Sequence, residues 1–302
     1  MNKQIQDQYH KSVLVDEAIT HLAPKPGGVY VDVTFGGGGH TRAILEAEPT
    51  CKVIALDWDQ KAIETNAPAF EQEFGERFKM IWGNFSLLYK ILKKEHISEV
   101  DGILADFGTS QFQIHQKAGF SFQSDTKLDM RMSPAHQPKT AANIVNHASE
   151  KELLEILYTY GEEPQAKKIV RAIIAARAIH YIGTTAQLTS IIESVIPLLA
   201  FKHTRGIHPA TKTYQALRIV VNHELENMHS FFQAANSALK LGGRLVCISF
   251  HSLEDRLVKS YLRDQYHQLE SLTKKPVTAS EEELAQNPSS RSAKLRAAVK
   301  IS

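Results

Sequence analysis

The sequence predicts an α/β protein with a Rossmann-like, largely parallel sheet of seven strands and an all-helical domain inserted after the fourth. Three observations lead there. Short β-branched runs alternate with longer amphipathic stretches through the first third of the chain, the rhythm of a sheet with helical crossovers. The rhythm stops after Asp106 and gives way to helical spacing, and strand signals return near residue 243. At 302 residues the chain suits about two domains. The expected division is 1–114 and 209–302 for the two segments of the sheet domain, with the helical insert at 115–208.

The first four strands are expected at Val29–Thr34, Lys52–Asp57, Phe78–Trp82 and Val100–Asp106. Residues 119–138 read as a loop. Beyond it, Ile169, Val170, Ile173 and Ile174 recur at helical spacing, with Lys167, Lys168 and Arg171 among them. Residues 209–239 read as one long return helix carrying an apolar stripe of Ala216, Leu217, Val220 and Val221. The run from Leu239 to Leu245 reads as a helix end, a Gly242-Gly243 turn and a strand. Strands at 243–250, more weakly at 266–273, and at 294–301 complete the seven, with a Pro, Ser and Glu-rich loop between 275 and 290.

Composition narrows the function classes. No uncharged apolar run approaches the roughly 18 residues of a membrane span, and the polar N-terminus lacks the apolar stretch of a secretory signal. Cys51 and Cys247 give neither a disulfide framework nor zinc spacing. A reducing, cytoplasmic setting follows as the expectation. Of the 14 histidines, His203 and His208 lack partners at ligand spacing, so no metal is expected. The net charge of +2 conceals its distribution. Residues 164–218 hold Lys167, Lys168, Arg171, Arg177, Lys202, Arg205, Lys212 and Arg218 against Glu193 alone, a local +7. Beyond Glu283, Arg291, Lys294, Arg296 and Lys300 add +4, leaving −9 elsewhere. Two basic segments on an acidic body suit a polyanionic partner; solvated helix faces are the plain alternative.

The first strand runs into Asp32-Val33-Thr34-Phe35-Gly36-Gly37-Gly38-Gly39-His40, with a helix following. The glycines permit a tight turn and a close approach to a ligand where strand feeds helix. Asp57 ends the next strand about 20 residues on, where a carboxylate accepts from ribose hydroxyls. A nicotinamide enzyme shares those features. The loop lacks G-x-G-x-x-G spacing, however, and acids end the first and fourth strands. Such acids repel a pyrophosphate but attract the ammonium group of S-adenosyl-L-methionine. Asp59 is expected to cap the helix starting at Gln60.

Methyl transfer from a sulfonium asks the protein mainly to position the acceptor. Methylation at pyrimidine carbon five needs a cysteine nucleophile, and both cysteines read as core or edge residues. An exocyclic amine needs none. Asp106, at the carboxyl end of the fourth strand, is placed to accept an amine N–H and is the candidate catalytic residue.

These motifs together resemble the bacterial 16S rRNA (cytosine-N4)-methyltransferases of the MraW or RsmH type. The resemblance covers His10 to Ile301 and rests on the glycine loop with His40 and on Asp101-Gly102-Ile103-Leu104-Ala105-Asp106. Gly119-Phe120-Ser121-Phe122, Leu128-Asp129-Met130-Arg131-Met132 and Gly161-Glu162-Glu163 follow, then His208-Pro209-Ala210-Thr211 and Gln215-Ala216-Leu217-Arg218. Ser249-Phe250-His251-Ser252-Leu253-Glu254-Asp255 and Arg291-Ser292-Ala293-Lys294-Leu295-Arg296 complete it. It implies a class I S-adenosyl-L-methionine-dependent methyltransferase acting on a decoding-region cytidine of 16S rRNA in the small ribosomal subunit. By resemblance the cofactor contacts fall on Gly38, Gly39, His40, Asp57, Phe85, Asp106 and Gln113.

The chain departs from the family pattern at Gln111-Phe112-Gln113-Ile114, where relatives carry Ser-Pro-Gln-Leu, and at Ala118, which replaces an arginine. Thr126-Lys127 replaces a Gly-Pro ahead of the Asp129 loop, and Ser289-Ser290 removes a tail arginine. His251 either meets the target nucleotide or precedes a capping box of Ser252 and Asp255. Phe107, Phe112, Phe120 and Phe122 are the candidates to stack on a flipped base. Two rivals stay open: a nicotinamide-dependent oxidoreductase and a non-catalytic ribosome-assembly factor.

Overall fold

The computed structural model describes residues 12–108, 117–196 and 208–302. They form two compact units, Met1–Ser110 with Leu225–Ser302, and Gln111–Glu224.

The first unit is the sheet. Its strands are β1 (Val29–Asp32), β2 (Lys52–Asp57), β3 (Phe78–Trp82), β4 (Val100–Asp106), β5 (Leu239–Ser249), β6 (Leu269–Ser271) and β7 (Lys294–Lys300), in the order β3-β2-β1-β4-β5-β7-β6. Strands β1 to β5 pair in parallel, whereas β7 runs antiparallel between β5 and β6. Alternation along each strand sends successive side chains to opposite faces. Tyr30, Val53, Ala55, Leu104, Val246 and Leu295 therefore join one buried cluster, with helices α1 (Val15–Leu22), α2 (Gly39–Ala47) and α3 (Gln60–Phe74). Val31, Ile54, Leu56, Ile103, Leu245 and Cys247 join the other, under α4 (Leu88–Lys94).

The second unit is helical: α5 (Ala141–His147), α6 (Glu150–Thr159), α7 (Ala166–Arg177), α8 (Thr185–Val195) and α9 (Thr211–Asn222). Thr140, Ser149 and Thr184 start α5, α6 and α8 with reciprocal capping boxes, which satisfy backbone donors the first turn leaves open. The single return helix expected over 209–239 is two. His223, at φ 51°, ends α9 in a left-handed turn, and α10 (Glu224–Ala238) begins beside it; nothing in the apolar periodicity marks that turn. Ala210, Tyr214, Leu217 and Val221 of the α9 region pack into the helical core, so this unit reaches Glu224 rather than 208. Back in the sheet unit, α11 (Ser252–Asp264) follows β5 and α12 (Glu281–Gln286) precedes β7.

Strand β5 also begins earlier than expected. Leu239 already pairs with Val100, and the ladder shifts before resuming at Arg244 and Gly102. Gly242, at φ 78°, absorbs this irregularity, so the Gly-Gly pair interrupts a strand instead of preceding one. Asp59 caps α3 as expected, accepting from the Lys61 N–H at 3.2 Å.

Candidate active site at the carboxyl edge of the sheet

Strands β1 and β4 are neighbours whose chain connections lead to opposite ends of the sheet, and such a switch opens a crevice at the carboxyl edge. Asp32, Asp57 and Asp106 end β1, β2 and β4 at that edge.

The glycine loop is held by the protein's own hydrogen bonds. Asp57 accepts from the Gly36 N–H at 2.7 Å and from the Asp59 N–H at 2.8 Å, which ties the loop to the end of β2. Asn66 donates to the Gly36 carbonyl at 3.0 Å. Gly38 has φ 79° and opens α2, and a Cβ there would lie 2.4 Å from the Phe70 ring. At Gly39 a Cβ would lie 2.1 Å from the Ser12 hydroxyl oxygen. The protein itself encloses these two glycines. Around Gly37 nothing comes within 4 Å, so the loop's open side lies there.

His40 is buried in the first turn of α2, and its Nε2 lies 2.9 Å from the Val13 carbonyl. A carbonyl only accepts, so Nε2 carries a proton. The opposite nitrogen, Nδ1, lies 3.8 Å from Oδ2 of Asp106. Thr34 holds the β4 end through its hydroxyl, which accepts from the Asp106 N–H at 2.8 Å. Oδ1 of Asp106 is buried and has no hydrogen-bond partner among the described residues. Burial pushes the Asp106 carboxyl up to about 6; His40 opposes this, while Asp32 and Glu254 reinforce it.

Asp32, the acid expected at the end of the first strand, is the third carboxylate of this edge. It is fully buried and accepts from the Thr41 hydroxyl at 2.7 Å and the Thr34 N–H at 3.0 Å. Burial raises its pKa, against the pull of His40 and both threonines. Asp57 is likewise pushed up to about 6 by burial, against its two backbone donors. The edge thus gathers three carboxylates whose burial leaves them short of positive charge. Such an edge suits a cationic ligand.

Phe85 opens a 3₁₀ turn after β3, where Asn84 caps it by accepting from the Ser86 N–H. Its ring meets Phe107 and Phe231 edge-on, each at 5.8 Å. Gln113 and Phe112 lie outside the described residues, as does the whole 111–114 departure. Phe107 is buried among Phe85, Phe231 and Phe232, which removes it from the stacking candidates. Phe122 stacks on His208 at 4.5 Å in the helical unit, and Phe120 is half-buried. Both cysteines are buried, and burial pushes the Cys247 thiol upward, so neither presents a thiolate.

The capping box at α11 is made by different residues than expected. His251 is the N-cap and Glu254 its reciprocal partner, accepting from the Phe250 N–H at 2.7 Å and the His251 N–H at 3.2 Å. Asp255 instead holds Arg296 at 2.7 Å and Lys294 at 3.3 Å. Lys300 donates to the carbonyls of Asn236 and Leu239, closing the end of α10. Of the four tail cations expected to face a polyanion, three are therefore committed inside the sheet unit, and Arg291 stays exposed.

The insert divides similarly. Arg177 donates to the Val145 and Ala148 carbonyls at the end of α5, Lys212 to the Glu162 carbonyl, and Arg218 grips Glu224 bidentately at 2.8 and 2.9 Å. Lys167, Lys168 and Arg171 stand exposed along α7, while Lys202, Arg205 and His203 lie outside the described residues. His208 bonds Glu193 at 3.1 Å and accepts from the Ala210 N–H, a structural post. The Thr126 hydroxyl accepts from the Gly119 N–H and its N–H donates to the Thr185 hydroxyl, each at 2.9 Å. The Asp129 loop is then clamped by buried Asn222, which accepts from the Met132 N–H and donates to the Met130 carbonyl, both at 2.8 Å.

A profile of the MraW methylase family matches residues 7–301. The protein named ribosomal RNA small subunit methyltransferase H in a Cyanothece species is 47% identical, covering 97% of this chain and 95% of that protein. Its namesake in Koribacter versatilis is 48% identical, over 96% and 94%. That of Desulfotalea psychrophila is 45% identical, over 98% and 99%.

Proposed function

The chain belongs to the MraW methylase family, and we propose that it methylates the exocyclic N4 amine of a decoding-region cytidine in the 16S rRNA of the small ribosomal subunit. The observation that carries this reading is the buried Oδ1 of Asp106, an acceptor without a donor at the mouth of the β1–β4 crevice.

The cofactor is S-adenosyl-L-methionine, which when bound supplies an electrophilic methyl group on a cationic sulfonium. The residues fit it: Asp57 would accept from ribose hydroxyls, the glycine loop offers open backbone at Gly37, and the buried carboxylates would meet the ligand's cationic charge. His40, Phe85 and Gln113 complete the proposed binding set, with Gly38 and Gly39 shaping the turn. Asp106 accepts one N–H of the target amine. That hydrogen bond draws the nitrogen lone pair out of conjugation with the ring and aims it at the methyl group. As the lone pair formed the new N–C bond, the methyl–sulfur bond would break with its electron pair left on sulfur as a neutral thioether, and the nitrogen would pass one proton to Asp106. His40, facing Oδ2 of that carboxylate, steadies its charge.

No cysteine is exposed to form the covalent adduct that ring-carbon methylation requires. The exposed cations of α7 are the proposed phosphate contacts of the insert. A protein of this kind works where ribosomal subunits are assembled, in the cytoplasm. Mass spectrometry of 16S rRNA from a strain lacking the protein tests the reading: the N4-methylcytidine signal is expected to vanish and to return with the intact gene. An unchanged signal overturns it in favour of an assembly factor. Calorimetry showing binding of NAD and none of S-adenosylhomocysteine overturns it in favour of a dehydrogenase.

A further inference from the structure

A second cleft lies at the far end of the sheet unit, between α11 and the edge strand β6, with a volume of about 620 Å³. Buried Leu262 and Leu269 lie at its bottom beside Thr273, with the half-exposed Ile301 at its edge. Its rim carries Lys259, Arg263 and Lys274, and Glu270 is the one acid lining it. These cations are not equivalent. Arg263 meets Asp264 at 2.9 Å, and Arg296, deeper in the cleft, is held by Asp255. Lys259 and Lys274 are exposed and form no ion pair among the described residues. Tyr266 also lines the cleft, with 63% of its surface exposed and one side of its ring against His267 at 3.6 Å.

An exposed aromatic flanked by unpaired cations, over buried leucines, is the combination that grips unpaired nucleotides: the ring offers a stacking face and the ammonium groups meet phosphates. The cleft's size falls within the roughly 300–1,000 Å³ of small-ligand sites, enough for one or two nucleotides. We propose that this cleft holds an unpaired nucleotide of the rRNA substrate, its base on Tyr266 and its phosphates on Lys259 and Lys274. The proposal rests on the rRNA reading above. It adds a binding site on the catalytic unit itself, at the β6 end of the order β4-β5-β7-β6, away from Asp106 on β4. It also replaces the tail as that unit's contact, because Lys294, Arg296 and Lys300 are spent internally.

The test compares the full-length protein with the double variant Lys259→Glu/Lys274→Glu and with Tyr266→Ala. The measurements are KM for small ribosomal subunits, kcat, S-adenosylhomocysteine affinity, and retention of a single-stranded 16S fragment at several salt concentrations. The double variant is expected to raise KM at least tenfold and to flatten the log–log salt dependence by about 1.4, two phosphates' worth for a single strand. Tyr266→Ala is expected to weaken fragment binding about tenfold, from the loss of one stacked base. With all residues exposed, kcat and S-adenosylhomocysteine affinity are expected to stay at parental values, which verifies folding. Parental KM and salt slope in both variants overturn the proposal. So does competition by polyglutamate with no effect of Tyr266→Ala, which assigns the cleft to an acidic protein. Failure of the parent to methylate 16S rRNA is a separate outcome that sinks the functional reading, while fragment retention still judges the cleft.

Discussion

His40 stands between Val13 and Asp106: one ring nitrogen donates to the Val13 carbonyl at 2.9 Å, and the other faces Oδ2 of Asp106 at 3.8 Å. The strap at residues 12–14 thereby fixes which nitrogen meets the carboxylate. The Leu14 N–H in turn donates to Glu283 at 2.8 Å, tying the strap to α12.

The pH dependence of turnover follows from this pair. Asp106 accepts an amine proton only when ionised, and its carboxyl titrates at about 6 in the folded protein. Activity is therefore expected to rise with pH through that value, with kcat/KM falling about tenfold per unit below it. Asp106→Ala is expected to abolish methylation while S-adenosylhomocysteine affinity stays within about tenfold. His40 opposes the upward shift, so His40→Gln is expected to move the acid limb to higher pH. A pH–rate profile of the three proteins decides; an unmoved limb in the His40 variant removes its assigned role.

Cofactor binding is expected to release protons. Asp57 and Asp106 both titrate near 6 because burial disfavours their charged forms, and a cationic ligand reverses that preference. Titration calorimetry at pH 6 in two buffers of different ionisation enthalpy is expected to show up to about one proton released with S-adenosyl-L-methionine. Release is expected to be smaller with the uncharged thioether product and near zero at pH 8. Equal release by both ligands contradicts the electrostatic reading of the edge.

Neighbouring glycines are expected to separate stability from binding. Gly38→Ala forces a left-handed residue and drives a methyl group into Phe70, at a cost of about 2–4 kcal/mol. Gly37 has open space and ordinary φ, so Gly37→Ala is expected to keep its melting temperature yet lose cofactor affinity. Thermal melts with and without S-adenosylhomocysteine check both.

The basic residues are expected to fall into two groups. Reversing Lys167, Lys168 and Arg171 to Glu is expected to raise KM for rRNA and flatten its salt dependence, with stability unchanged to within about 0.5 kcal/mol. Arg296→Ala leaves the partly buried Asp255 with Lys294 alone and is expected to lower stability by about 2 kcal/mol. A loss of rRNA affinity at full stability in the Arg296 variant would restore the tail as a contact surface.

That division shows where the sequence stops being informative. The strands were legible because β-branched runs ending in Asp32, Asp57 and Asp106 obey local rules, and Asp59 as a cap is a matter of adjacent residues. Charge pairing over long separations is not local. Arg296 meets an acid 41 positions away and Lys300 a carbonyl 64 away, so their sums in sequence resemble an open patch and their structure does not. The same holds for Ser12 against Gly39, and for Thr34 and Thr41 around Asp32, where no spacing signals the contact. The break at His223 escaped because the apolar stripe continues across it.

The placement of β7 between β5 and β6 has a consequence for biosynthesis. A nascent chain emerges with β6 made before the strand that must separate it from β5. Until β7 is available, β5 presents an unpaired edge and β6 has nothing to join. The helical unit, contiguous in sequence, has all its partners much earlier. Premature termination before Lys294 therefore yields a chain with a finished insert and an open sheet, a substrate for proteases and aggregation rather than a partially active enzyme.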